Sequence, residues 1–473
     1  MKKSAANVKL AAVRNEVDTA LYEVRKKIYT RAVHGWFAGW RIALVVLTQL
    51  IYYGLPWITW NGRQAVLFDL GARKFYIFGA VFWPQDFIFL AALLVISALS
   101  LFLFTAVAGR LFCGYACPQT VYTEIFMWIE RWVEGDRLQR MRLDRGGIGV
   151  RKLALKTTKH ALWIALALWT GFTFVGYFTP VDVLAGEVVH WKLGPWETFW
   201  ILFYGFATYG NAGWMREQVC KYMCPYARFQ SVMFDQDTLV ITYDEARGEP
   251  RGGRSRSADP RKSGLGDCVD CAICVQVCPT GIDIRQGLQY ECIGCAACID
   301  GCNQVMDKMG YAHGLIRYST AKAMQRREVE PRLLKSFFRP RVLVYSALLG
   351  VIVAAFSIGL ALRSPLKVDV IRDRGALVRE TRAGLVENVY RLQLMNTDER
   401  PHRYRISATG LEGIAVVVEQ PVQVPAATTQ GVAVALRVDP AGVAAGSHKI
   451  VFHVEDVDDP AVRSDEKSRF FVR

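Results

Sequence analysis

The stretch CVDCAICVQVCPTGIDIRQGLQYECIGCAACIDGC, residues 268–302, holds eight of the chain's 12 cysteines. Each half reads Cys-x2-Cys-x2-Cys-x3-Cys: Cys268, Cys271, Cys274 and Cys278, then Cys292, Cys295, Cys298 and Cys302. In such a run three closely spaced thiolates grip three corners of an iron–sulfur cube, and the fourth turns away to ligate the other cluster. The spacing therefore predicts two [4Fe-4S] clusters, one held by Cys268, Cys271, Cys274 and Cys302, the other by Cys292, Cys295, Cys298 and Cys278. Pro279 follows Cys278 as the pattern asks, whereas Asn303 stands after Cys302 where a second proline would be usual. Two matched runs of four argue against a disulfide framework or a pair of zinc sites.

Around this run the 473-residue chain is 52% hydrophobic, too apolar for an ordinary soluble protein. Uncharged stretches run from Ile42 to Gly62, Phe87 to Gly109, Ala161 to Val181, Thr198 to Met215 and Val342 to Leu362. About 20 helical residues cross a bilayer, so five transmembrane helices are expected. The shorter apolar piece Phe75 to Gln85 reads as re-entrant or interfacial. Nine Lys and Arg precede Ile42 and ten lie between Arg110 and Lys159, against Arg63, Arg73 and Lys74 after the first span and Lys192 after the third. Positive loops stay inside, which predicts a cytoplasmic N-terminus, a cytoplasmic cluster run and an outside C-terminus. This topology, with an anionic leaflet as partner, also accounts for the net charge of +15 without nucleic acid. No removable signal peptide is expected. The stretch GEPRGGRSRSADPRKSG, residues 248–264, lacks aromatics for base stacking and reads as a flexible basic linker.

The remaining four cysteines form two pairs, Cys113 and Cys117 in LFCGYACPQT and Cys220 and Cys224 in VCKYMCPYAR, each just past the end of an apolar span. Both members shift by 107 residues, so a helical hairpin followed by Cys-x3-Cys-Pro occurs twice. Four-residue spacing on a helix brings two sulfurs within reach of one metal, although Pro118 and Pro225 push Cys117 and Cys224 out of helical geometry. Soft thiolates suit Cu(I), zinc or iron–sulfur chemistry, and spacing alone does not choose among them or a structural role. Met223, inside the second pair, offers a weak thioether candidate. His34, His160 and His313 read as interfacial or structural, and Glu124 as part of an amphipathic stretch along the membrane surface.

After Arg363 the pattern changes to period two: Tyr390, Leu392, Leu394; Tyr404, Ile406; Val432, Val434, Leu436, Val438; Ile450, Phe452, Val454. With turn residues between the runs, this predicts an immunoglobulin-like β-sandwich of about seven strands, held without a cysteine and suited to docking. The expected architecture is a multi-pass α-helical membrane protein with a bacterial-type 2x[4Fe-4S] ferredoxin domain and a C-terminal immunoglobulin-like β-sandwich. Its segments are a cytoplasmic N-terminus (1–41), a four-helix membrane domain (42–243), a basic linker (244–267), the ferredoxin-like domain (268–318), a fifth transmembrane helix (342–362) and the sandwich (364–473).

The cysteine motifs, together with QLIYYGLPWITWNGRQAVLFDL, FYIFGAVFWPQDFIF and ALWTGFTFVGYFTPVDV, resemble the FixG/CcoG family of accessory proteins of cbb3-type cytochrome c oxidase. The resemblance implies an inner-membrane cupric reductase that supplies Cu(I) to the oxidase, with Cys113, Cys117, Cys220 and Cys224 handling copper and the other eight cysteines binding the clusters. It implies as partners a cytoplasmic electron donor, copper ions with their chaperones or transporters, and oxidase assembly factors. Related quinol-dehydrogenase subunits of the NapH/NosR type share the cysteine motifs, so quinol exchange is an alternative. A non-redox assembly scaffold acting through the sandwich is another.

Overall fold

The structure is a computed structural model that describes residues 27–256, 264–326, 338–373 and 378–472. The N-terminal segment before Lys27 and the centre of the basic linker, 257–263, lie outside the described residues. The chain divides into two compact units, one of residues 1–45, 105–164 and 209–336, the other of 46–104, 165–208 and 337–473.

Among the described residues three helices are long and apolar enough to cross a membrane: Trp36–Trp57, Pro84–Ala108 and Pro340–Ala361. The expectation of five is corrected, for two separate reasons. The helix Val150–Val175 spends its first turns on Arg151, Lys152, Lys156 and Lys159, leaving an uncharged part from His160 to Val175 that is about 24 Å long at helical rise. The helix Pro195–Thr208 runs 14 residues and then changes to π-helical geometry over Tyr209–Met215. The piece Phe75 to Gln85, expected to be re-entrant or interfacial, begins as β-structure. Lys74–Ile77 and Ala80–Phe82 pair with Val66–Asp69 in a three-stranded antiparallel sheet.

In the first unit a helix, Pro118–Glu134, buries Val121, Phe126 and Met127, so the stretch holding Glu124 packs within the unit. Phe126 stacks on Trp163 at 5.1 Å, and the Trp163 indole N–H donates to the Phe126 carbonyl at 3.1 Å. Beside them runs a buried charge network. Glu130 meets Arg140 at 3.1 Å and Arg216 at 2.9 Å, while Glu134 meets Lys159 and Lys156 at 2.9 Å each. Buried charges persist only when paired in this way. The basic linker is less free than its composition implies. Arg254 donates to the Gly266 carbonyl at 2.7 Å and the Tyr311 hydroxyl at 3.0 Å, so the near part of the linker lies along the cysteine-rich segment.

The second unit contains the sandwich. One sheet orders Ala415–Val417, Thr429–Val438, Val386–Asn396 and Leu366–Arg372, with Arg379–Glu380 also on Val386–Asn396. The other orders Val422–Val424, His402–Thr409, Gly446–Asp456 and Arg463–Val472. Alternate residues point inward, as a two-sided strand requires. Tyr390, Leu392, Leu394, Tyr404, Ile406, Val434, Leu436, Val438, Ile450, Phe452 and Val454 form one core, and Val432 packs at its edge. Near the start of this domain, buried Asp86 receives Arg363 at 2.6 Å and pairs with Lys367.

Candidate iron–sulfur and thiol site

The two cysteine runs fold as a matched pair. Ala272 and Ala296, each following the second cysteine of its run, hold left-handed backbone at φ 52° and 59°. This geometry is uncommon for a residue with a Cβ and turns each loop sharply before a helix begins, Ile273–Gln276 in the first run and Ala297–Met309 in the second. Gly301 allows the two helices to cross closely, since a Cβ there would lie 3.2 Å from Ile273 and 3.3 Å from Val277. The antiparallel pair Val240–Tyr243 and Ile316–Ser319 supplies Ile241, Tyr243 and Ile316 to the same core as Cys268 and Cys274.

The thiols gather in two sets. Cys302 interacts electrostatically with Cys268, Cys271 and Cys274, and Cys278 does so with Cys292, Cys295 and Cys298. The last cysteine of each run thus crosses to the other run's set. Burial pushes the Cys292 and Cys302 thiols up to about 12 and Cys274 to about 11. Thiols so buried ionise when a cationic core stabilises the thiolate, which iron would do. The donor set therefore fits two [4Fe-4S] groups. Among the described residues no three His, Cys, Asp or Glu side chains are arranged to hold a single ion.

The other four cysteines also meet. Cys113 lies in the short helix Leu111–Tyr115, and Cys220 in the π-helical segment Val219–Met223. Cys117 and Cys224 are extended (ψ 127° and 108°) and open the helices Pro118–Glu134 and Pro225–Met233. The prolines thus act as the sequence implied, and the pairs are not two positions on one helix face. Cys220 interacts electrostatically with Cys117, Cys113 and Cys224, so both motifs converge on one neighbourhood. Burial pushes Cys113 up to about 11 and Cys220 to about 12, and the Cys113 thiol donates to Gln230 Oε1 at 3.4 Å. Met223 is 56% exposed.

This four-thiol neighbourhood abuts the second cysteine run. A Cβ on Gly114 would stand 2.8 Å from the Cα and N of Cys295 and from the Ile293 carbonyl oxygen. Cys113 packs against the cluster of Val277, Ile293, Cys295 and Ala297. Asp300, from the second run's helix, accepts from the Ala38 amide at 2.7 Å, anchoring the first long helix. Gly114, Gln230 and Asp300 were not singled out from sequence. Their spacing carries no metal-ligand signature, and the π-helical turns that present Cys220 have none in composition either. Of the histidines, His160 hydrogen-bonds Tyr209 at 3.0 Å and stacks on Trp214 at 5.7 Å, while His313 pairs with Asp307 at 2.5 Å and the His34 carbonyl accepts from Gln304.

Residues 215–321 match the family described as a 4Fe-4S dicluster domain, residues 90–135 a 4Fe-4S binding domain, and residues 356–473 the Ig-like fold at the C-terminus of FixG. The nitrogen fixation protein FixG of Rhizobium meliloti is 39% identical over 425 residues, 83% of this chain and 80% of that protein. Protein RdxB of Cereibacter sphaeroides is 40% identical over 410 residues, 85% of this chain and 86% of its own length. A crystal structure of a FixG-related protein from Vibrio parahaemolyticus aligns at 26% identity with a TM-score of 0.21, covering 24% of this chain and 99% of that one.

Proposed function

Because the chain belongs to the FixG family of iron–sulfur electron-transfer proteins, we propose that it reduces Cu(II) to Cu(I) at Cys113, Cys117, Cys220 and Cys224 for assembly of a cbb3-type oxidase. The carrying observation is the contact of Gly114 with the Cys295 loop, which sets the four-thiol neighbourhood directly against one set of cluster cysteines. On this reading Cys268, Cys271, Cys274 and Cys302 hold one [4Fe-4S] cluster, and Cys292, Cys295, Cys298 and Cys278 the other. When bound, the clusters supply one-electron reservoirs.

The chain's own residues do the rest. The four thiols lose their protons to solvent as copper binds, and the resulting soft thiolates favour Cu(I) over Cu(II). Cys117 and Cys224 open their helices; at Cys117 burial raises the thiol, and the Gln119 and Thr120 amides offset part of that rise. The balance is one electron per copper, with no atom transferred.

The protein is a membrane protein, and the charge distribution supports an inner-membrane placement with the N-terminus and cluster run cytoplasmic. On this reading three crossings, like five, are odd, which would leave the sandwich on the periplasmic side. There it would dock assembly factors or copper chaperones, while a cytoplasmic donor would load the clusters.

The test replaces all four motif cysteines by Ala in the full-length protein, purified anaerobically. Both clusters should persist by iron content and EPR, and Cu(II) reduction should vanish. Unaltered reduction would sink the proposal.

A second reading, quinol oxidation, draws on a cavity of about 470 Å³ lined by Met127, Glu130, Lys159, His160, Trp163 and Trp214, with Pro279, next to Cys278, on its wall. Quinol-dependent cluster reduction in purified membranes would favour it, and its absence with several quinols would count against it.

A further inference from the structure

Arg110 stands three residues before Cys113, and the guanidinium is buried, 7% exposed. One terminal nitrogen donates to the Ala227 carbonyl at 2.6 Å, within the helix that Cys224 opens. The other donates to the carbonyls of Tyr290 and, at 3.5 Å, Cys292, at the head of the second cysteine run. The guanidinium lies 4.9 Å from the Tyr290 ring centroid and 5.9 Å from that of Phe234. Its Nε is buried with no hydrogen-bond partner among the described residues.

What this cation lacks is an anion. Among the described residues no carboxylate pairs with Arg110, and the nearby acid, Glu291, faces Lys221 at 3.9 Å instead. A buried charge left unpaired is costly even after the surroundings relax. The ionisable groups that Arg110 does reach are sulfurs. They are Cys113 and Cys220 on one side and Cys292 on the other. Carbonyl oxygens satisfy its hydrogen bonds, while thiolates, present once the sites are loaded, supply the countercharge.

We propose that Arg110 is the shared counter-cation of the second-run cluster and of the four-thiol site, and that it sets the reduction potential of that cluster. The inference rests on the iron–sulfur electron-transfer reading, but not on copper as acceptor. Arg110 acts here as a positioning residue. A fixed cation between donor and acceptor stabilises negative charge at both ends, so an electron passing from one to the other need not wait for a protein charge to move. Reduction adds negative charge to the cluster beside it, and removing the cation makes that step harder.

The test is a redox titration of the full-length protein, followed by EPR with iron quantified, for wild type, Arg110→Gln and Arg110→Lys. No copper is present, so the outcome is independent of copper reduction. In Arg110→Gln the midpoint of one cluster should fall, its reduction equilibrium weakened about tenfold, which is about 59 mV for a one-electron couple. The other cluster should keep its midpoint, and Arg110→Lys should stay near wild type. Unchanged midpoints in an iron-replete Arg110→Gln protein, or equal shifts of both clusters, would overturn the inference. If Arg110→Gln fails to retain iron, Arg110→Lys decides. Full iron content there supports the role of charge, and iron loss equal to that of Arg110→Gln overturns it. A wild type without cluster signals would instead remove the iron–sulfur reading itself.

Discussion

Gly114→Ala is a sharp probe of the contact between the four-thiol neighbourhood and the second cysteine run. The added methyl would lie 2.8 Å from the Cys295 Cα, the Cys295 N and the Ile293 carbonyl oxygen. Ordinary contact begins near 3.4 Å, so a gap of 3.4 − 2.8 = 0.6 Å must open. All three atoms are backbone, and no flexible side chain can swing aside. Gly114 has no left-handed φ that alanine would strain, so the effect is steric alone. Overpacking of this kind costs about 1–3 kcal/mol. The variant should bind iron, lose its cluster absorbance at a lower temperature than wild type, and reduce Cu(II) more slowly in anaerobic mixing with a Cu(I) chelator. Wild-type thermal bleaching together with a wild-type reduction rate would show that the two loops do not depend on this contact.

Other substitutions separate the parts. Glu130→Ala leaves Arg140 and Arg216 buried without their carboxylate and should cost about 3–5 kcal/mol, read as a lower thermal midpoint. Burial alone would raise the Glu130 carboxyl, but Arg216, Arg140 and Lys159 together hold it below the ordinary value of 4.5. Its contribution is therefore complete above that value and is lost as the pH falls through the depressed one, so acid unfolding of wild type but not of Glu130→Ala should steepen there. Phe452→Ala removes a fully buried ring from the sandwich core and should destabilise that domain by about 3–5 kcal/mol while cluster EPR stays unchanged. Asp86→Asn leaves Arg363 and Lys367 without an anion, and local amide exchange near Leu366 should accelerate.

Where a local period carries the information, the sequence is a good guide. Inward residues such as Tyr390, Leu392 and Leu394 are legible because a strand alternates faces. The crossed grouping of Cys278 and Cys302 is legible because the spacing of thiols around a cube is strict. The segment Phe75 to Gln85 is opaque because its strands carry aromatic and aliphatic side chains on both faces, erasing the alternation. Phe75 meets Phe68 at 5.8 Å, Tyr76 lies under Arg63 at 4.3 Å, and Trp83 lies under Lys74 at 4.8 Å. The two helices that fall short as spans are opaque because an uncharged stretch does not reveal how far a helix extends back into lysines or where α geometry becomes π. Arg110 reads in sequence as one more positive residue beside a membrane helix. Only the fold brings Ala227, Tyr290 and Cys292 around it.

The most direct measurement of electron flow is a single turnover of the wild-type protein. The protein is reduced anaerobically and freed of reductant, Cu(II) is added, and cluster absorbance is followed alongside chelator-trapped Cu(I). The account predicts that the clusters are oxidised and their visible absorbance returns as Cu(I) forms, one copper for each electron lost. Clusters that stay reduced with Cu(II), yet regain absorbance on adding a quinone, would contradict it and place the electrons' destination elsewhere.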